Sequence, residues 1–342
     1  MLTLRRGTVL SAGDLHGPMQ ELDVRLGGEH RPALGDLALV GPSHMGDEVV
    51  VNVAALDLEL GSGGYDVVHV NLTRGLGGTG TPGAHVMKLN YTSLQHAVLP
   101  VEESAPAVAH QSAVLPTGAP AAVCFLHGQL APLTWAFGQA APGARLGYVQ
   151  TAGGALPGGL SRVVRDLRER GLLDGHLTAA PAFGGEREAI TTAGALQHGY
   201  LERHWHAAVC APGPGILGSG TALGHGGMIA LETAHTAAAL GCRVIVAPRR
   251  SSGDPRPRHQ GLSHHARTML ELALVPFTVA THGPVEPGLR RHDWTRGVAD
   301  LDGYAASGLP VKTMGRTLSE DPEFFAAALA AGSVLAAATR AL

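Results

Sequence analysis

Residues 121–151 of the chain, AAVCFLHGQLAPLTWAFGQAAPGARLGYVQT, give the clearest indication of the fold class. A short apolar run, AAVCFL, comes before a helix-length segment, APLTWAFGQAA, which is followed by a second apolar run, RLGYVQT. Short apolar runs bounded by turn residues are typical of buried strands, and their alternation with helical segments is typical of parallel α/β proteins. The stretch therefore predicts a strand, a helix and a second strand parallel to the first.

The same alternation continues from about residue 119 to the C-terminus. Five further apolar runs follow: HLTAAPAF, AAVCAP, RVIVAP, PFTVAT and VKTMG. This pattern predicts a doubly wound, mostly parallel sheet with helices on both faces. The last apolar stretch, FFAAALAAGSVLAAA, follows Pro322 at a plausible first helical position. It is short for a membrane span, so we expect a terminal helix packed on the domain.

Residues 1–100 predict a small all-β domain, either a barrel or a sandwich. Four β-branched runs are separated by Gly, Pro and Asp: MQELDVRL, GDEVVVNVAAL, YDVVHVNL and HVMKLNYTSLQ. Residues 101–118 lose this rhythm and predict a junction. An α/β domain of residues 119–342, carrying the ligand site, is expected to follow.

The composition limits the functional class. The 342 residues carry a net charge of −3, which argues against a general nucleic-acid-binding protein. The three cysteines lack the spacing of a disulfide frame or a zinc knuckle, and no secretion leader opens the chain. We therefore expect buried free thiols and a cytoplasmic location.

Glycine-rich and charged loops follow every predicted strand of the α/β domain. Ligands of parallel sheets bind outside the carboxyl ends of the strands, so these loops are expected to form one site. Seven residues from different loops should line one concavity: His127, Gly154, Gly185, Gly220, Asp254, His264 and Thr313.

The loop of residues 213–227, GPGILGSGTALGHGG, predicts either an anion site or a merely tight turn. It contains G-x-G-x-x-G, but it belongs to the fourth strand–helix unit, and no acid ends the next strand. Backbone N–H groups of such a loop, together with a helix start near Gly227, suit an anion. The expected contacts are Gly215, Gly218, Ser219, Gly220 and Thr221.

Residues 249–265, RRSSGDPRPRHQGLSHH, hold four arginines and three histidines. Two prolines predict an extended arm near polyproline II, with Arg256 and His259 on one side and Arg258 on another. Ser263 is a plausible N-cap of the next helix. Adjacent helical residues point about 100° apart, so His264 and His265 are not expected to bind one metal together.

Three functions remain open. The first is an enzyme or sensor that binds a small anionic metabolite, phosphorylated or carboxylated, at the strand ends. The glycine-loop residues are then joined in ligand binding by Arg249, Arg256, Arg258 and His127. The expected catalytic residues are His264, His265, His259 and Asp254. The second function is an NADP-dependent oxidoreductase, and the third is a non-enzymatic assembly or regulatory protein.

The expected partner is the small anion, with no nucleic acid and no membrane, and homo-oligomerisation is left open. The sequence does not identify a cofactor. No metal is expected; if one binds, the alternative ligand set is Asp254, His259 and His264.

The loops also carry a resemblance to a known family. HVMKLNYTSLQ, LHGQLAP, QTAGGALP, AFGGERE, GPGILGSGTALGHGG, DPRPRHQGLSHH and TMGRTLSEDPEFF occur in this order along nearly the whole chain. Together they resemble the uncharacterised bacterial family catalogued as domain of unknown function 3866. The resemblance implies no established activity.

Overall fold

The protein, seen here in a computed structural model, forms two compact units, residues 1–99 and residues 100–342. The structure describes residues 1–15, 17–60, 63–103, 115 and 118–340. The predicted junction of residues 101–118 lies mostly outside the described residues.

The first unit is built around a closed five-stranded barrel. Its elements are β1 (Leu4–Ala12), β2 (Met19–Leu26), β3 (Glu29–Asp36), α1 (Leu37–Val40), β4 (Glu48–Asn52), α2 (Ala54–Asp57) and β5 (Asp66–Asn71). The barrel closes in the order β1-β2-β3-β5-β4, and only the β3–β5 pair is parallel. The prediction of an all-β unit is confirmed. In β2 the alternating pattern buries Leu22, Val24 and Leu26 inside the barrel, as expected for a half-buried strand.

The run HVMKLNYTSLQ does not join the barrel. It contributes only β6 (Val86–Lys88), which pairs with β7 (His96–Val98) in a separate hairpin. Leu89 and Tyr91 both have positive φ, which ends the extended conformation directly after β6.

The second unit contains an eight-stranded sheet that is parallel throughout. The first half of this unit comprises β8 (Pro120–Cys124), α3 (Leu130–Ala140), β9 (Leu146–Thr151), α4 (Arg162–Glu169), β10 (Gly175–Ala179), β11 (Arg187–Ala189) and α5 (Thr192–Leu201). Its second half comprises β12 (Ala207–Pro212), α6 (Ile229–Ala239), β13 (Arg243–Ala247), β14 (Arg250–Ser251), β15 (Gly261–Leu262), α7 (His264–Leu272), β16 (Thr278–Thr281), β17 (Asp293–Arg296), α8 (Leu301–Ala305), β18 (Lys312–Thr313), β19 (Arg316–Thr317) and α9 (Pro322–Arg340). The predicted fold is confirmed.

The strand order is β11-β10-β9-β12-β8-β13-β16-β17. From β8 the chain winds toward one edge through β9 and β10, and it later returns through β12 and β13 toward the other edge. The order therefore reverses beside β8, and such a reversal opens a crevice at the carboxyl ends of the strands.

Helices cover both faces of the sheet. On one face α9 packs on α3 and α8, and α4 also contacts α3, whereas α5, α6 and α7 pack together on the other face. Gly332 of α9 lies so close to the backbone of Leu133 in α3 that a Cβ would be 2.1 Å from its carbonyl oxygen. Among the described residues, one helix, α9, is long and apolar enough to cross a membrane. In this structure 72% of its most apolar 18-residue segment is buried. Pro322 is its first residue, as predicted.

Three details of the sheet differ from the sequence-based prediction. The run VKTMG was expected to form a strand of the sheet, which is wrong: β18 pairs with β19 in a separate hairpin. Met314 has positive φ and turns the chain back after two residues. The edge strands β11 and β17 were not predicted, because each is short and contains charged residues, so neither carries an apolar run.

Candidate functional site

A cavity of about 550 Å³ lies beyond the carboxyl ends of β8, β12 and β13, which are neighbours in the sheet. The loops after these strands contribute His127, Gly215 and Arg249 to its lining. The β18–β19 hairpin contributes Thr313 and Arg316. Segments distant in sequence therefore meet where the topology predicts a ligand.

The charged side chains that line this cavity are all cationic among the described residues. Five cationic side chains line it: Arg249, Arg256, Arg258, Lys312 and Arg316. No carboxylate of the described residues is part of the lining. Apolar side chains complete the wall: Leu126, Ala131, Val163, Ile216, Met314 and Phe325. The cavity thus offers both positive charge and apolar surface.

Asp254 lies fully buried behind three of these arginines and orients them. Its carboxylate accepts hydrogen bonds from Arg249 at 3.1 Å, from Arg256 at 2.8 and 2.9 Å, and from Arg316 at 3.4 Å. Burial by itself would raise the pKa of Asp254, but hydrogen bonds to Arg256 and the charges of Arg256 and Arg316 hold it below its usual range. The position of Asp254 therefore fits the orientation of arginines better than the proton transfer expected from the sequence.

A second buried acid, Asp321, supports the same cluster. It accepts hydrogen bonds from the hydroxyl of Ser251 at 2.6 Å and from Arg316 at 3.0 Å. Within the described part of the chain, Arg258 and Lys312 form no ion pair. Two carboxylates thus accompany five cations, and only Arg249, Arg256 and Arg316 pair with them, which leaves an excess of positive charge around the cavity.

The proline-rich segment does not form the predicted extended arm. Pro257–His259 form a single 3-10 turn, with Pro257 at its first position, where a fixed φ favours helical backbone. The carboxylate of Asp254 also accepts the backbone N–H of Arg256 at 3.0 Å and starts the turn. As a result, Arg256, Arg258 and His259 all line the cavity instead of pointing apart.

The glycine-rich loop closes on itself instead of forming a cradle of free N–H groups. The hydroxyls of Ser219 and Thr221 lie 2.8 Å apart, and that of Thr221 accepts the N–H of Gly224 at 3.0 Å. The N–H of Ser219 donates to the carbonyl of Gly224 at 2.8 Å.

Only part of the predicted glycine-loop contact set lines the cavity: Gly215, Gly218 and Ser219 do, whereas Gly220 and Thr221 do not. Helix α6 begins only at Ile229, well beyond the G-x-G-x-x-G motif. A dinucleotide fingerprint should open the helix directly, so this geometry does not favour one.

Four histidines pack beside the arginines. The rings of His225 and His265 stack with centroids 3.7 Å apart, and His264 lies 4.3 Å from His265. His259 lies 4.9 Å from both His264 and His265. Ser263 shares a 2.7 Å hydrogen bond with His259 and accepts the N–H of His265, which confirms it as the N-cap of α7.

The site residues predicted from the sequence do not include His225, which lies within the glycine-rich loop. The signal that points to it is a lone histidine among glycines after a strand. Although adjacent helical residues point about 100° apart, ring nitrogens of His264, His265 and His225 all lie within 4.8 Å of one another. Side-chain torsions, and not only the helical angle, decide where these long side chains end.

Burial and the nearby arginines keep these histidines neutral. Burial, with the charges of His225 and Arg249, lowers the pKa of His265 to about 2. Burial, with the charges of Arg249 and Arg256, lowers the pKa of His259 to about 3. Burial also lowers the pKa values of His225 and His264. At neutral pH all four rings offer a lone pair and carry no charge.

His127, a predicted ligand contact, lines the cavity from the β8 side. It shares a 2.7 Å hydrogen bond with the hydroxyl of Ser161, which caps α4, and burial lowers its pKa to about 4. Of the seven loop residues expected in one concavity, His127 and Thr313 line the cavity. Asp254 and His264 contact residues that do, whereas Gly154, Gly185 and Gly220 are not part of the lining.

Comparison with known proteins identifies a family but no activity. A family model described as "Protein of unknown function (DUF3866)" matches residues 33–332. Neither a curated protein nor a solved structure matches the chain. Any function must therefore be argued from the site itself.

Proposed function

The chain belongs to this family of proteins of unknown function, and from its site we propose that it binds a small anionic metabolite, phosphorylated or carboxylated, in the cavity. The observation that supports this most directly is the imbalance of charge in the wall. Five cations line the cavity, and the carboxylates that pair with three of them, Asp254 and Asp321, are not part of the lining.

The energetics of Arg249 favour a bound anion. Its side chain is 2% exposed, and it shares the single carboxylate of Asp254 with two other arginines. Removing a cation from water costs several kcal/mol unless opposite charge compensates it. An anion in the cavity supplies that charge, and planar guanidinium groups bind carboxylate or phosphate through paired hydrogen bonds.

The size and apolar wall of the cavity indicate the rest of the ligand. A volume of about 550 Å³ lies within the range of about 300–1,000 Å³ typical of small-molecule sites. Val163, Ile216 and Phe325 would contact an apolar body, while the arginines hold the charged group. We therefore propose a metabolite with one anionic end and one apolar part.

Proton transfer, in any reaction at this site, is assigned to His259, because it lines the cavity and lies beside Arg249. An anion that offsets the charge of Arg249 would raise the lowered pKa of His259 toward the range useful for catalysis. A cytoplasmic location stays a prediction, supported by three buried free cysteines.

The test is a thermal-shift screen of the full chain against phosphorylated and carboxylated metabolites, alongside native mass spectrometry of freshly purified protein. At least one anion should raise the melting temperature of the wild type. Arg258→Met should weaken binding of that anion by about tenfold to a hundredfold, corresponding to a charged hydrogen bond of about 1.5–3 kcal/mol. Arg258 suits this test because it pairs with no described carboxylate, so its loss leaves no buried acid unpaired.

Arg258→Lys separates geometry from charge, since it keeps the charge and loses the planar fork. Arg243 provides the matched control: it begins β13 at the opposite edge of the sheet and is exposed, so Arg243→Met should bind like the wild type. If no anion stabilises the wild type, or if both methionine variants lose binding equally, the proposal is wrong.

A further inference from the structure

Three imidazoles of the histidine group converge on one point. His225 comes from the glycine-rich loop, while His264 and His265 open α7. One ring nitrogen from each lies within 4.8 Å of the other two. Two separate segments thus bring three neutral nitrogen ligands together.

Two of these rings carry buried nitrogens that nothing in the described structure satisfies. Nδ1 of His225 and Nε2 of His264 are inaccessible to solvent and form no hydrogen bond within the described residues. Buried polar atoms without a partner are rare, because each costs free energy, so they indicate a group that the protein itself does not supply.

The second nitrogen of His225 is held as it is in metal-binding histidines. Its Nε2–H donates to the carbonyl oxygen of Ala222 at 2.9 Å. This bond fixes the tautomer and leaves the lone pair on Nδ1, the nitrogen without a partner. Metal-ligating histidines usually donate their other N–H to a backbone carbonyl or a carboxylate in this way.

We propose that His225, His264 and His265 form a binding site for a divalent transition-metal ion, with Zn²⁺ the best match. Three imidazoles with a fourth position open are a ligand set that Zn²⁺ adopts, and neutral nitrogen ligands do not suit Mg²⁺ or Ca²⁺. Because His265 lines the cavity, the open position would face it.

Binding requires a small local rearrangement. Tetrahedral Zn²⁺ with bonds of about 2.0–2.1 Å needs ligand nitrogens about 3.3 Å apart, so the ring nitrogens must move closer by at most about 1.5 Å. The stack of His225 on His265 must open, because an ion lies in the plane of each ring it binds. Arg249 donates to Nδ1 of His265 at 3.3 Å, and this bond must be given up.

The charge of Arg249 opposes a cation nearby, so we expect an anionic fourth ligand. Hydroxide or chloride is sufficient, and the metal site therefore does not rest on the metabolite proposal. The alternative set of Asp254, His259 and His264 fits less well. The carboxylate of Asp254 is shared among arginines, and Nδ1 of His259 is bonded to Ser263.

The test is metal titration of the full chain, stripped with a chelator, in buffer free of phosphate and carboxylates. Zn²⁺ is measured by competition with a chromophoric chelator, and Co²⁺ by the intensity of its visible absorption. We expect one tight equivalent per chain and the intense spectrum of tetrahedral Co²⁺. His225→Ala, His264→Ala and His265→Ala should each weaken Zn²⁺ binding by at least about tenfold.

His204→Asn is the matched control, since His204 is exposed and its positive φ of 52° is tolerated by asparagine. It should bind Zn²⁺ like the wild type. If the variants at the buried His225 or His265 fail to fold, the half-buried His264→Gln and the wild-type Co²⁺ spectrum decide the question. Wild-type binding no tighter than that of folded His264→Gln, or the weak spectrum of octahedral Co²⁺, would overturn the proposal.

Discussion

His176 should make the second unit sensitive to mild acid. Its ring stacks on Tyr148 with centroids 4.9 Å apart, and its Nε2–H donates to Gln150 at 3.0 Å. Burial, with the charges of His127 and Arg168, lowers the pKa of His176 to about 3. The unfolded chain, with a histidine pKa of about 6.5, therefore binds the proton more readily. The stabilisation is complete above about pH 6.5 and is lost as the pH falls toward 3.

The size of this effect follows from the two pKa values. Between about pH 7.5 and about pH 5, the difference in proton binding removes about 2 kcal/mol of unfolding free energy. His176→Gln keeps an amide N–H for Gln150 but does not titrate, so it should lose about 2 kcal/mol less than the wild type over this interval.

Urea unfolding followed by tryptophan fluorescence measures the difference. All three tryptophans, Trp135, Trp205 and Trp294, belong to the second unit, so the signal does not report on the barrel. The exposed control His204→Asn should follow the wild type. If His176→Gln and the wild type lose the same free energy between the two pH values, the reasoning about this buried imidazole is refuted.

Two further predictions concern packing and buried charge. In Gly147→Ala the new Cβ would lie 2.0 Å from the ring of Trp205, so overpacking should lower the unfolding free energy by about 1–3 kcal/mol. Gly138→Ala, inside α3 with only ordinary contacts, should instead be neutral or stabilising, and equal urea midpoints for the two variants would contradict this account. Asp254→Asn leaves three arginines without their shared charge and should cost about 3–5 kcal/mol in the same assay, whereas a loss below about 1 kcal/mol would show that the arginines do not depend on it.

The central strands of the sheet were predictable because a strand that is buried on both faces consists almost entirely of apolar residues. β8, β9 and β12 are buried at every position, and such strands appear as continuous apolar runs. β17 pairs on one side only and is mostly exposed, so its four residues carry no run that a sequence pattern can detect. The run VKTMG, which contains Lys312, was wrongly predicted as a strand of the sheet. Its local apolar character does not reveal that the chain turns back at Met314.

The position of the cavity was predictable from the sequence, whereas the pairing of side chains around it was not. Topology alone places the loops after β8, β12 and β13 at one edge of the sheet. Arg316, which lines the cavity and contacts Asp254, was not predicted, because sixty-two positions separate the two residues in sequence. The same limitation applies to His225, whose partner ring belongs to another loop. Side-chain pairing across loops depends on tertiary structure, which periodicity does not encode.

The arrangement of buried charge also bears on which anion fits the proposed site. Both carboxylates of the cluster are buried outside the cavity lining, and their hydrogen bonds hold Arg249, Arg256 and Arg316 in place. Five carboxylates would be needed to neutralise the five cations that line the cavity. The cluster has only two, and Arg258 and Lys312 have no described ion-pair partner. In a partly buried site each additional ligand charge interacts strongly, because little solvent screens it. A dianion should therefore gain more than a monoanion of similar size, so we expect phosphate monoesters to rank above monocarboxylates in the metabolite screen.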